Sequence, residues 1–209
     1  MRPEHIVVVM GTHTGVGKTW IAVELIGRLR EHGLAVAVRK PVQSFSPGDG
    51  PTDADRLAAA TYESCTAVSD PARSYPLAMA PPMAAEALGL PPFTVADLAT
   101  ELAWPAAASV GLLETVGGPR SPVAADGDSV DLAAALNPDL VILVADAGLG
   151  AINAVRLSMA AFAALNAPVT VVLNYFDPSD DLHRRNRLWL EADGFDVAVD
   201  VSSLVGRLT

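Results

Sequence analysis

The chain has 209 residues, of which 51% are hydrophobic and 5% aromatic, and its formal net charge is -10. This acidic balance argues against a nucleic-acid surface, because phosphate backbones require a basic face. The length suits one domain spanning 1–209, and the abundance of Ala, Val and Leu is typical of a parallel sheet buried between helices.

Apolar runs alternate with helical patterns along the chain. Such alternation predicts βαβ units and an α/β fold: a doubly wound, mostly parallel sheet flanked by helices. Strands are predicted at 5–11, 35–39, 109–115, 139–145, 168–174 and 195–200. Helices are predicted at 18–31, 53–62, 94–103, 129–136, 151–166 and 180–193.

The stretch 41–93 interrupts this rhythm. It holds many of the prolines and two Pro-Pro pairs, and we predict irregular structure there around one helix. An insertion of this length in a compact domain often shapes a site.

Targeting segments and disulfides are not expected. The N-terminal stretch lacks the apolar length of a signal peptide, and no run approaches the roughly 20 apolar residues of a membrane span. Cys65 is the one cysteine, which suits a reducing compartment, and without a motif around it a small buried hydrophobic role is expected. These observations predict a cytoplasmic protein with no membrane and no nucleic acid as partner.

The sequence GTHTGVGKT, at 11–19, follows a predicted strand and opens a helical pattern. Gly15 and Gly17 let successive amides point into one concavity, and the helix N-terminus adds its positive end. Lys18 would then reach the outer phosphates of a nucleotide, and the Thr19 hydroxyl would ligate Mg²⁺. A glycine-rich turn without a ligand is the alternative.

This loop departs from the usual phosphate-loop spacing at one position. The pattern places a glycine five residues before Gly17, where this chain has Thr12, and the glycine stands one residue earlier, at Gly11. The Gly-Lys-Thr core and the strand-loop-helix context remain.

Two carboxylates are candidate metal ligands. Glu114 follows a buried apolar run, and a buried carboxylate without a partner is costly, so a Mg²⁺ ligand beside a phosphate loop is a physically sensible role. Asp53 stands where a helix starts. The alternatives are a solvated strand-end glutamate and an ordinary helix-start residue, respectively.

Lys40 ends the second predicted strand, and Pro41 stops the ladder directly after it. The carboxyl ends of strands in an open α/β sheet face the ligand crevice, so Lys40 should lie near Lys18. Two lysines around a transferred phosphate suit an enzyme that stabilises negative charge in its transition state. A surface lysine at a strand end is the alternative.

With the motifs GTHTGVGKT, KPVQS, TDADRLAAA, ETVGG and DAGLGAINAVRLS in this order, the chain resembles the dethiobiotin synthetases, a family of P-loop NTPases. Related partitioning and metal-insertion proteins carry KGGVGKT, and here His13 replaces their signature lysine. The resemblance implies an ATP- and Mg²⁺-dependent ligase that closes a cyclic urea on the diamine 7,8-diaminononanoate with CO₂, giving dethiobiotin, ADP and phosphate.

The same resemblance implies roles for individual residues. It assigns catalysis to Lys18 and Lys40, with Thr14 and Ser44 beside the diamine or its carbamate. It assigns Mg²⁺ to Thr19, Asp53 and Glu114. Nucleotide contacts fall to Thr14, Gly15, Val16, Gly17, Lys18, Thr19 and Trp20, with Asn174 on the adenine. It implies a homodimer in which the substrate tail carboxylate is held by Gly150, Ala151, Ile152 and Asn153, from the same or the neighbouring subunit.

The chain departs from the family pattern around the acidic strand. The family usually reads VEGAGG where this chain reads LETVGG, so Thr115 and Val116 add side chains where the substrate would approach. Pro119 and Arg120 replace apolar residues. No closing helix is expected at the C-terminus, which leaves the base preference open.

Other functions therefore stay open. They are a nucleotide-dependent switch or scaffold of the partitioning class, an amidotransferase-type ligase like the cobyrinate amidating enzymes, and a paralogue with an altered amine substrate or lapsed activity.

Overall fold

The computed structural model describes residues 2–208. In chain order, its strands are β1 (His5–Gly11), β2 (Val36–Arg39), β3 (Gln43–Ser44), β4 (Ser74–Tyr75), β5 (Val110–Glu114), β6 (Pro122–Ala124), β7 (Gly127–Asp128), β8 (Leu140–Asp146), β9 (Val169–Asn174) and β10 (Asp196–Ala198).

Six of these strands form one sheet in the order β10-β9-β8-β1-β5-β2, and every neighbouring pair is parallel. The six strands predicted from the sequence are these six, and the last is shortened to three residues. The doubly wound α/β fold is confirmed. Because all six strands run in the same direction, the carboxyl ends of β1, β2 and β5 lie along one edge of the sheet.

The helices are α1 (Lys18–Glu31), α2 (Asp53–Thr61), α3 (Cys65–Val68), α4 (Pro81–Ala87), α5 (Val95–Glu101), α6 (Ser129–Leu136), α7 (Ala151–Ala161), α8 (Asp181–Ala192) and α9 (Ser202–Val205), with 3-10 turns at Pro71–Arg73 and Phe162–Ala164. None of the helices within residues 2–208 combines the length and apolar character needed to cross a membrane.

The central strand β1 is buried on both faces. Ile6, Val8 and Met10 point into one hydrophobic cluster, and Val7 and Val9 point into the other. Helices cover the sheet on both sides, which is why the strands read as continuous apolar runs rather than as alternating patterns.

The prediction of a single helix within 41–93 is wrong. The segment also contains α3, α4 and a 3-10 turn. One Pro-Pro pair, at Pro81, occupies the first turn of α4, where a proline's missing N–H is not needed and its fixed φ suits the helix. The proline pair thus starts a helix instead of preventing one.

Three smaller predictions are also corrected. Cys65 is exposed at the first position of α3, so it is not a buried hydrophobic residue. The predicted helix 151–166 ends at Ala161 and continues only as a 3-10 turn. The C-terminal stretch does form a short helix, α9, whose Leu204 and Val205 pack into the cluster beneath α1.

Candidate active site

The loop between β1 and α1 has the geometry of a phosphate cradle. Gly17 caps α1 with φ 95°, a conformation that L side chains rarely adopt. A Cβ atom at this position would lie 2.1 Å from Nδ2 of Asn174. That Nδ2 donates to the carbonyl of Val16 at 2.9 Å, so Asn174, at the end of β9, braces the loop from a distant part of the sequence.

The early glycine of this loop has a packing reason. A Cβ at Gly11 would lie 2.5 Å from Cγ1 of Val16 and 3.0 Å from the carbonyl oxygen of His13. The loop folds back onto the end of β1, so Gly11, which lies against Val16 and His13, has no room for a side chain. The departure from the usual spacing therefore preserves the close approach that this loop needs.

Lys18 is buried, and its Nζ donates to the carbonyl oxygens of His13 at 3.3 Å and Gly117 at 3.1 Å. Burial, and then the charge of Lys40, lower the pKa of Lys18 to about 8. A desolvated ammonium group held by carbonyl dipoles is well placed to gain from a bound anion.

Lys40, directly after β2, is fully buried and lines one cavity with Lys18 and Thr19. Its Nζ lies 2.5 Å from Oε1 of Glu114, 3.0 Å from Oδ2 of Asp53 and 3.2 Å from the carbonyl oxygen of Thr115. The Thr19 hydroxyl lies within donating distance of both carboxylates, 2.9 Å from Asp53 and 3.0 Å from Glu114, and its single proton can serve either. Residues from β2, α1, α2 and β5 thus meet within hydrogen-bond distance.

The charges in this cluster shift one another's pKa values. Burial opposes the charge of Lys40, but Glu114 and Asp53 outweigh it and raise the pKa of Lys40. Burial raises the pKa of Glu114 in spite of the lysine. Burial would also raise the pKa of Asp53, but Lys40 dominates and lowers it.

The donor set fits a nucleotide-bound Mg²⁺. Oε2 of Glu114 is buried and has no hydrogen-bond partner in the described residues, and such an atom is costly unless a cation or proton satisfies it. Within residues 2–208, no group of three or more His, Cys, Asp or Glu side chains forms a metal cage. Mg²⁺ does not require one, because it is usually held by one or two carboxylates together with substrate phosphates and water.

A cavity of about 640 Å³ opens beside this cluster. Lys18, Thr19, Lys40 and Asp53 line one part of it, and other lining residues include Thr14, Gly15, Gly17, Ser44, Met79, Pro81, Val116 and Gly117. The Ser44 hydroxyl donates to the carbonyl of Met79 at 2.5 Å. The insertion 41–93 contributes residues 78–81 to the wall of the cavity, as expected. These four residues were not predicted individually, because the length of the insertion was the signal and no motif marks them.

The two residues that depart from the family pattern after Glu114 behave differently. Thr115 is buried, and both its amide and its hydroxyl donate to the carbonyl of Val9, so its side chain lies against β1. Val116 lines the cavity. Of the departures there, Val116 is therefore the one that can narrow the pocket. Arg120 is exposed and pairs with Asp128 at 2.9 Å.

A second cavity, of about 520 Å³, lies between the first turns of α1 and the end of β9. Trp20 and Asn174 line it, as do Tyr175 and residues 199–202 near the C-terminus. Sequence analysis did not single out Tyr175. Its position directly after Asn174 was the available signal, since strand ends in this fold face the ligand.

The four residues predicted to hold the substrate tail stand apart from both cavities. Gly150 caps α7, and Ala151, Ile152 and Asn153 form its first turn. These four residues are not among the described residues that line either cavity. One subunit therefore does not bring them together with the lysine cluster.

A strand-loop-helix phosphate cradle, a buried lysine at its end and two facing carboxylates define a P-loop nucleotide-binding protein on a doubly wound α/β sheet. A family model described as an AAA domain matches residues 5–197. The chain is 40% identical over 209 residues to the ATP-dependent dethiobiotin synthetase of Rhodococcus jostii, covering 97% of this chain and 88% of that protein. It therefore belongs to the AAA-domain family and, within it, to the dethiobiotin synthetase family.

A second relative agrees with this assignment, and a solved structure agrees with the fold. The ATP-dependent dethiobiotin synthetase of Haloferax mediterranei is 36% identical over 188 residues, which cover 90% of this chain and 79% of that one. The solved structure of a candidate plasmid partition protein from Borrelia burgdorferi, bound to AMPPNP, superposes with a TM-score of 0.53 at 12% identity and covers 99% of this chain and 88% of that chain. At that identity the second comparison supports the fold alone.

Proposed function

We propose that this protein is an ATP- and Mg²⁺-dependent ligase that forms dethiobiotin from 7,8-diaminononanoate and CO₂. The observation that carries the proposal is the convergence of Lys18, Lys40 and Thr19 with Asp53 and Glu114 beside one cavity. Family membership supplies the substrate.

The reaction gathers negative charge at every step. One amine of the substrate takes up CO₂ and becomes a carbamate, whose oxygen attacks the γ-phosphorus while ADP leaves. The second amine then attacks the carbamate carbon, closes the ring and expels phosphate. Lys18 would hold the phosphates, and Lys40 would stabilise the charge that develops on the transferred phosphoryl group.

The remaining roles follow from position. Thr19, Asp53 and Glu114 would hold Mg²⁺, which neutralises charge on the β- and γ-phosphates when bound. Thr14 and Ser44 would face the diamine or its carbamate, since both line the cavity. Asn174 would contact the adenine in the second cavity, beside Trp20.

Phosphate release tests the activity directly. The protein is mixed with Mg²⁺, ATP, bicarbonate and 7,8-diaminononanoate, and phosphate is followed with and without the diamine. Diamine-dependent release supports the ligase. Slow release that ignores the diamine favours a nucleotide switch, and no release favours a lapsed paralogue.

The role of Lys40 has its own test. Lys40→Ala should abolish turnover while sparing most ATP binding, because the lysine is proposed to act on the transition state. Arg185→Ala removes an exposed cation outside the site and serves as the matched control. Equal loss of turnover and of ATP binding in Lys40→Ala would contradict the catalytic role.

We also propose that the protein is a homodimer that uses α7. Leu149, in the turn before α7, is 94% exposed, and Asn153 and Leu157 are exposed one helical turn apart within α7, so the first two turns of this helix present an open face. A second copy docked there would bring residues 150–153 to a neighbouring site. Sedimentation velocity should find a dimer that Leu157→Glu dissociates and Leu88→Glu, on another exposed leucine, does not. A monomeric parent protein would refute the proposal.

A further inference from the structure

Tyr175 has an unusual backbone for a bulky residue. Its φ is 58°, in the left-handed region, and the residue is 63% exposed. Within residues 2–208, two other non-glycine residues have positive φ, Tyr62 and Asn137, and both end helices, where this conformation is ordinary. Tyr175 follows a strand instead. Strain of this kind persists where the surroundings impose it, and it is concentrated at functional sites.

The strained backbone places the tyrosine beside the phosphate loop. Its hydroxyl lies 3.6 Å from the position that a Cβ of Gly17 would occupy. The next residue, Phe176, packs against the hydrophobic core. Tyr175 and Phe176 both line the second cavity with Trp20 and Asn174, but Tyr175 is exposed whereas Phe176 is half-buried. An exposed aromatic ring thus lines this cavity close to the loop that would bind the phosphates.

We propose that Tyr175 stacks on the base of the bound nucleotide, in a cavity whose wall also includes Trp20. This inference rests on the proposed function, which places the adenine beside Asn174. One N–H of the Asn174 amide donates to Val16, and its second N–H and its oxygen are left for the base edge, so the two flat faces of the base remain to be covered. Exposed aromatic rings cover such faces well, because stacking needs only the π-surface of the base.

A base-stacking role and a purely structural role predict different results for Tyr175→Gly. Glycine adopts positive φ without strain, so the variant should melt about 2–4 °C higher than the parent protein in the absence of ligand. Its affinity for Mg²⁺-ATP should fall by about fivefold or more, the range expected when one stacking ring is lost. Inorganic tripolyphosphate carries no base, and its affinity should not change.

Two variants complete the experiment. Tyr62→Gly removes the same side chain from the same backbone conformation outside the site, so it should leave the affinity for ATP unchanged. Tyr175→Phe keeps the ring and should bind ATP like the parent protein. Both affinities are measured by calorimetry with ATP and with tripolyphosphate, in the presence of Mg²⁺.

The outcomes separate this inference from the function on which it rests. Unchanged ATP affinity in Tyr175→Gly would overturn the stacking role. Equal weakening of ATP and tripolyphosphate binding would also overturn it, because the tyrosine would then support the phosphate loop and not the base. A lower melting temperature would likewise indicate a structural side chain. If the parent protein bound neither ligand, the proposed function would fail and the stacking role with it.

Discussion

Replacing Lys40 by methionine tests the electrostatics of the site in the absence of any ligand. Lys40 and Glu114 are both fully buried, and their charged atoms are 2.5 Å apart. Removing the lysine leaves the glutamate as a buried charge without its main partner, which typically costs about 3–5 kcal/mol. For a chain of this size that corresponds to a fall in melting temperature of roughly 6–20 °C.

The stability lost in Lys40→Met should depend on pH, because the pKa of Glu114 changes with it. Burial already raises the pKa of Glu114 above its ordinary value of 4.5, and without Lys40 it rises further. The folded variant then takes up a proton that the unfolded chain does not hold, so its stability is greatest below the ordinary pKa and falls as pH increases through the raised one. The difference between the parent protein and Lys40→Met should therefore be larger at about pH 8 than at about pH 5.

Urea unfolding of the ligand-free protein at the two pH values measures this difference. Lys18→Met is the matched control, because Lys18 is a buried lysine whose partners are carbonyl oxygens and not carboxylates, and its loss should cost about 1 kcal/mol or less. Adding Glu114→Gln to Lys40→Met should recover part of the stability. A loss below about 1 kcal/mol at both pH values would refute the reasoning.

Two other predictions concern the phosphate loop. Gly11→Ala should destabilise the protein by about 1–3 kcal/mol, because the added Cβ would overlap Val16. Gly27→Ala lies in α1 with open space around it and should stabilise the protein by about 0.5–1 kcal/mol. Urea unfolding measures both, and the opposite ranking would contradict the packing argument. The pKa of Lys18 is lowered from 10.5 to about 8, so between these pH values the unfolded chain binds more protons than the folded one. The parent protein should therefore gain stability relative to Lys18→Met as pH rises from about 8 to about 10.5. If the stabilities of the two proteins changed in parallel with pH, the lowered pKa of Lys18 would be contradicted.

The sequence by itself determined the sheet, the phosphate loop and the residues of the lysine cluster. Strands that are buried on both faces read as apolar runs, and a glycine-rich turn between such a run and a helix has few uses besides binding an anion. The carboxyl ends of the strands share one edge of the sheet, so the sequence alone predicts that Lys40 and Glu114 lie near Lys18. The six predicted helices all exist, and apart from α7 their ends lie within about two residues of the prediction, because such patterns are local; α3, α4 and α9 were not predicted.

Tertiary structure alone decided what depends on packing between distant segments. The short helices within 41–93 lack a periodic pattern long enough to recognise, and α4 begins at a Pro-Pro pair, which is equally compatible with a turn and with a helix start. Whether Thr115 or Val116 faced the cavity was set by the register of β5 against β1. The strained backbone of Tyr175 and the contact of Asn174 with Gly17 have no local signature, since both arise where the end of β9 meets a loop more than 150 residues earlier in the chain.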